Sequence, residues 1–205
     1  VATARGEVFS NVEVTNSSTV SLEQEFSING KLTVNSSDEL QLNGGKLTLN
    51  GDFLNTGTFV ANGNRVRFSG EGGSTSDGNN VQNIEGSLDF GPVEVDGSDT
   101  DVLFSPSTDF ASVTSLVVDP GNADTNVSLT LSRNLDVSGD LTVNDGGNIG
   151  FAETASGDLV RFQSGASQTV TAPKGLSIER IEIDNGSTEG VQLASGTSLT
   201  LLEEL

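Results

Sequence analysis

Cysteine, histidine, tyrosine, tryptophan and methionine are all missing from these 205 residues, and each absence removes a class of chemistry. Without Cys there is no disulfide framework, no thiol nucleophile and no zinc–thiolate site. Without His or Tyr, proton transfer near neutral pH falls to carboxylates. Ten Phe are the only aromatics, and 33% of the chain is hydrophobic. That excludes a thick core and leaves a thin one lined by Val, Leu, Ile and Phe. No apolar run reaches 18 residues, so no helical membrane span is expected. Nor does any window carry an i, i+3, i+4, i+7 apolar stripe of helical length. Helix is expected to be nearly absent.

Positive charge is equally scarce. Nine Lys plus Arg face 29 Asp plus Glu, a net of -20, and only Lys31, Lys46 and Lys174 are lysines. The acids are dispersed along the chain, which argues against a disordered acidic tail. A polyanionic surface repels phosphates and acidic lipids, so nucleic acid and anionic membranes are poor partners. It suits secretion or a salty medium, since at about 1 M salt the Debye length is about 3 Å. The bias is similar to that of halophile surfaces and fits an ordinary acidic extracellular protein equally well. The absence of Cys, together with the Asn/Thr/Ser/Gly-rich composition, favours an exported bacterial protein over a cytosolic enzyme, so the expected place is outside the cell or on its surface. The opening VATARGEVFS has neither a charged nor an apolar leader region. The expectation is a removed leader or a piece of a longer chain.

What is present is a run of very short strand signals. From Lys31 to Phe68, apolar residues alternate in pairs, as in Leu32/Val34, Leu40/Leu42, Leu47/Leu49 and Val66/Phe68. Period two is the strand signal. Asn, Gly, Asp and Ser fill gaps that recur every six to nine residues or so. Asn-Gly pairs stand at 29–30, 43–44, 50–51, 62–63 and 185–186. Alone, such pairs suggest hairpins and an antiparallel β-sandwich, which is the alternative fold. Strands this short count against it, because most sandwich strands are longer. So does the self-similarity of the chain.

At an offset of 94, residues 47–68 align without gaps on 141–162, and eight of 22 positions are identical, Arg67/Arg161 among them. A second family recurs as NVEVTNSSTVSL (11–22), PVEVDGSDTDVLF (92–104) and RIEIDNGSTEGVQL (180–193), with LVVDPGNADTNVSL (116–129) as a looser copy. Self-similarity at a near-fixed period signals a solenoid. The expectation is an all-β, right-handed parallel β-helix of roughly nine coils, each of about 20 to 24 residues. It forms one domain over 1–205 with long repeats near 11–91, 92–179 and 180–205. Corner Asn and Ser should form hydrogen-bonded ladders between coils. Residues 70–80 and 119–126 read as loops at corners. Neither end looks like a helical cap, so the ends should meet like copies or neighbouring repeats.

Several segments, NVEVTNSSTVSL, FSINGKLTV, GGKLTLNGDFLNTGTFVANGNRVRFSG and SGDLTVNDGG, resemble the solenoid repeats of very large secreted surface proteins of the Bacteroidetes and their relatives. The resemblance covers most of the chain. It implies an exported β-solenoid within a long cell-surface or adhesin-like protein, and it carries no catalytic residues.

Candidate chemistry rests on carboxylates. Asp99 and Asp101 form the one tight acidic pair in a turn-like setting, where a two-carboxylate glycan site is conceivable. With 29 acids in the chain, chance pairs are expected, so no catalytic residue is assigned. Calcium is the better candidate for the acidic corners at Asp99, Asp101, Asp119, Asp124 and Asp145. No EF-hand loop or Gly-Gly-x-Gly-x-Asp nonapeptide accompanies them, so no metal site is assigned. Arg67 and Arg161, each in a VRF triplet, read as strand residues paired with nearby acids, or as contacts for an anionic glycan. Sequons at Asn16, Asn35, Asn126 and Asn185 read as turns in a bacterial protein. An ice-binding face would need a regular Thr-x-Thr ladder, which the sequence lacks. The expected function is a non-catalytic structural or adhesive module. The alternative is a carbohydrate-binding or polysaccharide-degrading β-helix using an Asp cluster.

Overall fold

The structure is a computed structural model and describes residues 8–70, 81–97, 100–121, 126–152 and 159–202. Strand β1 (Val8–Phe9) leads into a first coil of β2 (Val12–Val14), β3 (Thr19–Leu22) and β4 (Phe26–Ile28). Next come β5 (Leu32–Val34), β6 (Glu39–Leu42) and β7 (Leu47–Leu49), then β8 (Phe53–Asn55), β9 (Thr58–Val60) and β10 (Val66–Phe68). Two coils then have two long strands each: β11 (Val81–Gly86) with β12 (Asp89–Val95), and β13 (Thr100–Pro106) with β14 (Phe110–Val118). The three-strand plan returns in β15 (Val127–Leu131), β16 (Asn134–Val137) and β17 (Leu141–Val143), and in β18 (Gly147–Phe151), β19 (Leu159–Ser164) and β20 (Gln168–Thr171). It ends with β21 (Leu176–Ile178), β22 (Arg180–Asn185) and β23 (Val191–Leu193), and β24 (Leu199–Leu201) opens a further turn.

All strand pairs among the described residues are parallel, as in Val12↔Leu32, Leu40↔Phe59 and Leu47↔Val66. Among the described residues there is no helix, and the strands stack into a β-solenoid of about 8 turns rather than a barrel or a sandwich. The count falls slightly below nine because some coils are long. Leu47 pairs Val66, 19 residues on, but Phe53 pairs Ile84, 31 residues on.

Three faces result. The first is β2-β5-β8-β11-β13-β15-β18, with β21 against β18 and β24 paired to β21. The second begins β3-β6-β9 and the third β1-β4-β7-β10. In β12 and β14 these two faces fuse into single strands. Phe110–Val113 of β14 pairs β16, and Leu116–Val118 of the same strand pairs β17, so the faces separate again. They continue as β16-β19-β22 and β17-β20-β23.

Alternation sends every second residue inward, giving columns such as Ile28–Leu49–Phe68–Val95–Val118–Val143, all buried. Around the fused coils the interior is filled by rings. Phe90 lies 5.4–5.9 Å, centroid to centroid, from Phe53, Phe59, Phe68 and Phe104.

Corners follow from the close spacing of coils, about 4.8 Å. A Cβ on Gly51 would sit 2.3 Å from the Gly30 carbonyl oxygen, and one on Gly30 would sit 2.1 Å from that of Ser10. These glycines are needed for proximity, and neither has a positive φ. Of the five Asn-Gly pairs, only Asn62–Gly63 turns through the left-handed region, with φ of 50° and 73°. The Asn partners form the expected ladders. Asn50 donates to Asn29 Oδ1 at 2.7 Å and accepts from Ser69 Oγ, and Asn62 donates to Asn43 at 2.8 Å.

Candidate functional site

The described carboxylate candidates sit on the first face and its corners. Asp101, Ser128 and Asn148 stand in register on β13, β15 and β18. With Asn126, Gly146 and Gly147 they line a shallow concavity of about 440 Å³. Parallel stacking alone creates this column, since each outward residue lies above its register partner. Asp101 accepts a hydrogen bond from Ser128 Oγ. Asp119 caps a corner, accepting from the Gly121 backbone N–H at 2.9 Å and from Asn144 Nδ2 at 2.8 Å. Asp145 pairs with Lys174 at 3.4 Å. Asp99 and Asp124 lie outside the described residues. Among the described residues, no three acids gather where they could hold a metal ion.

Arg67 and Arg161 make the same kind of bond from different columns. The register column of Arg67 reads Ser27, Thr48, Arg67, Glu94, Val117, Thr142 and Thr171. That of Arg161 reads Asp89, Ser112, Asp136, Arg161 and Glu182. Arg67 Nε donates to Asp96 at 2.5 Å. Arg161 donates twice to Asp136, at 2.8 and 2.6 Å, with its guanidinium 4.1 Å over the Phe110 ring. The bidentate hydrogen bond to Asp136 holds Arg161 above its ordinary pKa, so it is a cation at any pH compatible with a fold. Neither column is the uniform Thr ladder of an ice-binding face.

The registers also reveal how a chain of net -20 stacks at all. In every described pairing, an outward acid faces Ser, Thr, Gln, an apolar residue or Arg, and never a second acid. Glu13 faces Thr33, Asp89 and Asp136 flank Ser112, and Gln163 faces Asp184. Like charges directly opposite one another would be destabilising.

Among the sequons, Asn35 donates across coils to Glu13 at 2.9 Å and to the Val14 carbonyl, and Asn185 donates to Ala166 and Gln168. Both act as corner residues.

Sequence reading missed a side-chain clamp that occurs twice. Buried Gln82 donates from Nε2 to the Leu49 and Gly51 carbonyls, while the Asn83 N–H donates to Asp52 at 2.9 Å. Buried Gln168 donates to the Val137 and Gly139 carbonyls, both at 2.8 Å, while the Thr169 N–H donates to Asp140 at 2.7 Å. Each clamp ties a Gly-Asp corner to a coil about 30 residues later. The signal was a Gly-Asp before a strand, answered by Gln at the start of a later one.

No protein family, no curated protein and no solved structure matches this chain. Among the described residues, no helix is long and apolar enough to cross a membrane.

Proposed function

We propose that this chain is a non-catalytic structural or adhesive module of an exported bacterial cell-surface or extracellular filament protein. The observation that supports this reading is what the polar side chains do. Arg67, Arg161, Asp119, Asn50, Gln82 and Gln168 all bond between coils, binding one turn of the rod to the next. Side chains used in this way carry load along the axis, and the outward strands present long flat faces to other polymers. Resemblance to secreted surface repeats and the acidic composition point to the same setting.

Electron microscopy of the purified chain tests it, together with a polysaccharide depolymerisation assay. The expected particles are rods on the order of 40 Å along the stack, identical with and without millimolar calcium and inert toward polysaccharide. Turnover abolished by Asp101→Ala would overturn the reading.

One observation favours a second reading, glycan binding at the concavity around Asp101. The Asp101–Ser128–Asn148 column offers hydrogen-bonding groups one strand spacing apart, beside the side-chain-free surface of Gly147. Asn148→Ala together with Asp101→Ala should then remove binding to a glycan panel while leaving the rods intact.

A further inference from the structure

Five Asn-Gly pairs stand at the corners, and each holds the groups for a reaction of the chain with itself. Glycine has no Cβ to shield its nitrogen, so that nitrogen can attack the side-chain carbonyl carbon, Cγ, of the preceding Asn. The new C–N bond closes a succinimide ring as ammonia leaves, carrying away the Gly amide proton. Water then opens the ring, giving aspartate, or isoaspartate with the main chain running through the former side chain. Nothing is oxidised or reduced. All five pairs have the same two residues, so in an unfolded chain they react at like rates. In the folded chain the Asn side chain and the Asn–Gly peptide must turn toward one another, and whatever holds either of them slows the reaction.

Four of the pairs are held. Asn50 uses both ends of its amide, toward Asn29 and Ser69, and Asn43 donates to Ser21 Oγ while accepting from Asn62. Asn185 donates to Ala166 and Gln168 and accepts from the Ser187 N–H at 2.8 Å. The attacking nitrogen of that pair is itself engaged, since the Gly186 N–H donates to the Ser164 carbonyl at 2.8 Å. At 30, 44 and 51 the glycine lies against the coil below. A Cβ there would come within 2.1, 2.7 and 2.3 Å of the carbonyl oxygens of Ser10, Glu23 and Gly30, so the peptide has no room to swing. Asn29 accepts only from Asn50, but its own N–H is fixed to the Phe9 carbonyl at 2.7 Å.

Asn62–Gly63 differs on every count. Both residues are exposed, and nothing lies within 4 Å of the Gly63 Cβ position. Among the described residues the Asn62 side chain makes a single hydrogen bond, from Nδ2 to Asn43 Oδ1. The cause is the fusion of the second and third faces. Asn43 and Asn62 are successive rungs at the corner between those faces, and in the next coil β12 runs straight across where that corner would be. Gly91 of β12 passes over the turn, its Cβ position 3.6 Å from Gly63 Cα, and brings no side chain to grip Asn62 from above.

We propose that Asn62 is a self-modification site, passing through a succinimide to aspartate or isoaspartate ahead of the other four pairs. The product loses the donor to Asn43 and sets a carboxylate against Asn43 Oδ1. Turning the Asn43 amide round would give up its bond to Ser21. Isoaspartate also adds a main-chain carbon inside the turn that the Asn64 N–H closes on the Ala61 carbonyl at 2.9 Å. Conversion therefore undoes the last rung of this ladder and loosens the corner between β9 and β10 as the protein ages.

Peptide mass spectrometry of the whole chain, aged in mildly alkaline buffer both folded and in urea, tests the proposal. Exchange of NH for O marks each converted Asn, and electron-transfer fragmentation separates aspartate from isoaspartate. In the folded chain Asn62 should convert first, about tenfold faster than any of the other four, while in urea the five rates converge. Gly63→Ala should slow conversion at Asn62 in the folded chain and leave the other four rates unchanged, with a melting curve verifying the fold. The wild-type comparison decides the matter even if that variant unfolds. Earlier conversion of Asn29, Asn43, Asn50 or Asn185 in the folded chain overturns the proposal. So do five equal rates, or a folded chain in which Asn62 stays intact while the urea-unfolded chain reacts.

Discussion

At the scale of the residue, identity is dictated by the nearness of the next coil more than by local conformation. Gly51 and Gly63 make the contrast testable. Gly63 has a φ of 73° with nothing within 4 Å of its Cβ position, while Gly51 has an ordinary φ and a carbonyl oxygen at 2.3 Å. Local preference alone would make Gly63→Ala the worse change, at about 1–2 kcal/mol for a left-handed alanine. Stacking reverses the order, because alanine at 51 must push two coils apart along the whole corner. Urea unfolding should show Gly51→Ala losing the larger amount. Phe90 is the second such residue, since its ring touches four others in the fused coils. Phe90→Ala should cost about 3–5 kcal/mol, read from the urea midpoint with an unchanged slope. A loss below about 1 kcal/mol would mean that the interior collapses around the gap.

At the scale of the element, the alternating triplets and polar corners were legible in the sequence because period two and turn chemistry are local. Which face a triplet occupies was not. VEV at 12–14 lies on the first face, VEV at 93–95 lies in the third-face half of β12, and IEI at 181–183 lies on the second. All three faces need the same apolar-polar-apolar triplet, so an alignment reports strands without reporting their columns. Arg67 and Arg161 diverge for that reason. The fused strands were hidden too, because Gly91-Pro92 reads as a break. Pro92 is tolerated inside β12 through parity. The Asp96 N–H donates toward β10, to the Phe68 carbonyl, so position 92 faces the same side. Pairing with β10 starts only at Val93, and the missing N–H therefore forfeits no ladder bond. The acid spacing is an element-scale rule as well. Ser112→Asp would place a third carboxylate between Asp89 and Asp136. It should destabilise by about 1 kcal/mol or more, and by less in high salt. Ser112→Asn, similar in size and uncharged, should be nearly neutral, and equal losses for the two would refute the electrostatic account.

At the scale of the whole molecule, two electrostatic effects oppose one another, and their balance sets the salt dependence of stability. Five ion pairs among the described residues weaken as salt rises. Three of them, Arg65–Glu94, Arg133–Asp109 and Lys174–Asp145, have cation side chains more than half exposed, and such pairs contribute about 0–1 kcal/mol each. Against them stands the repulsion among 29 acids held by only 9 cations, which acts across the whole rod and is relieved as the Debye length falls from about 30 Å to about 3 Å. The spacing of acids along each column removes the closest clashes but not the longer-range field, so repulsion outweighs the pairs. The urea midpoint should therefore climb steadily from about 0.01 to about 1 M NaCl. The measurement is repeated over a range of protein concentrations, because any self-association would raise the midpoint by mass action. A midpoint that fell with salt would show that the coil-to-coil ion pairs, Arg67–Asp96 and Arg161–Asp136 above all, outweigh the global charge.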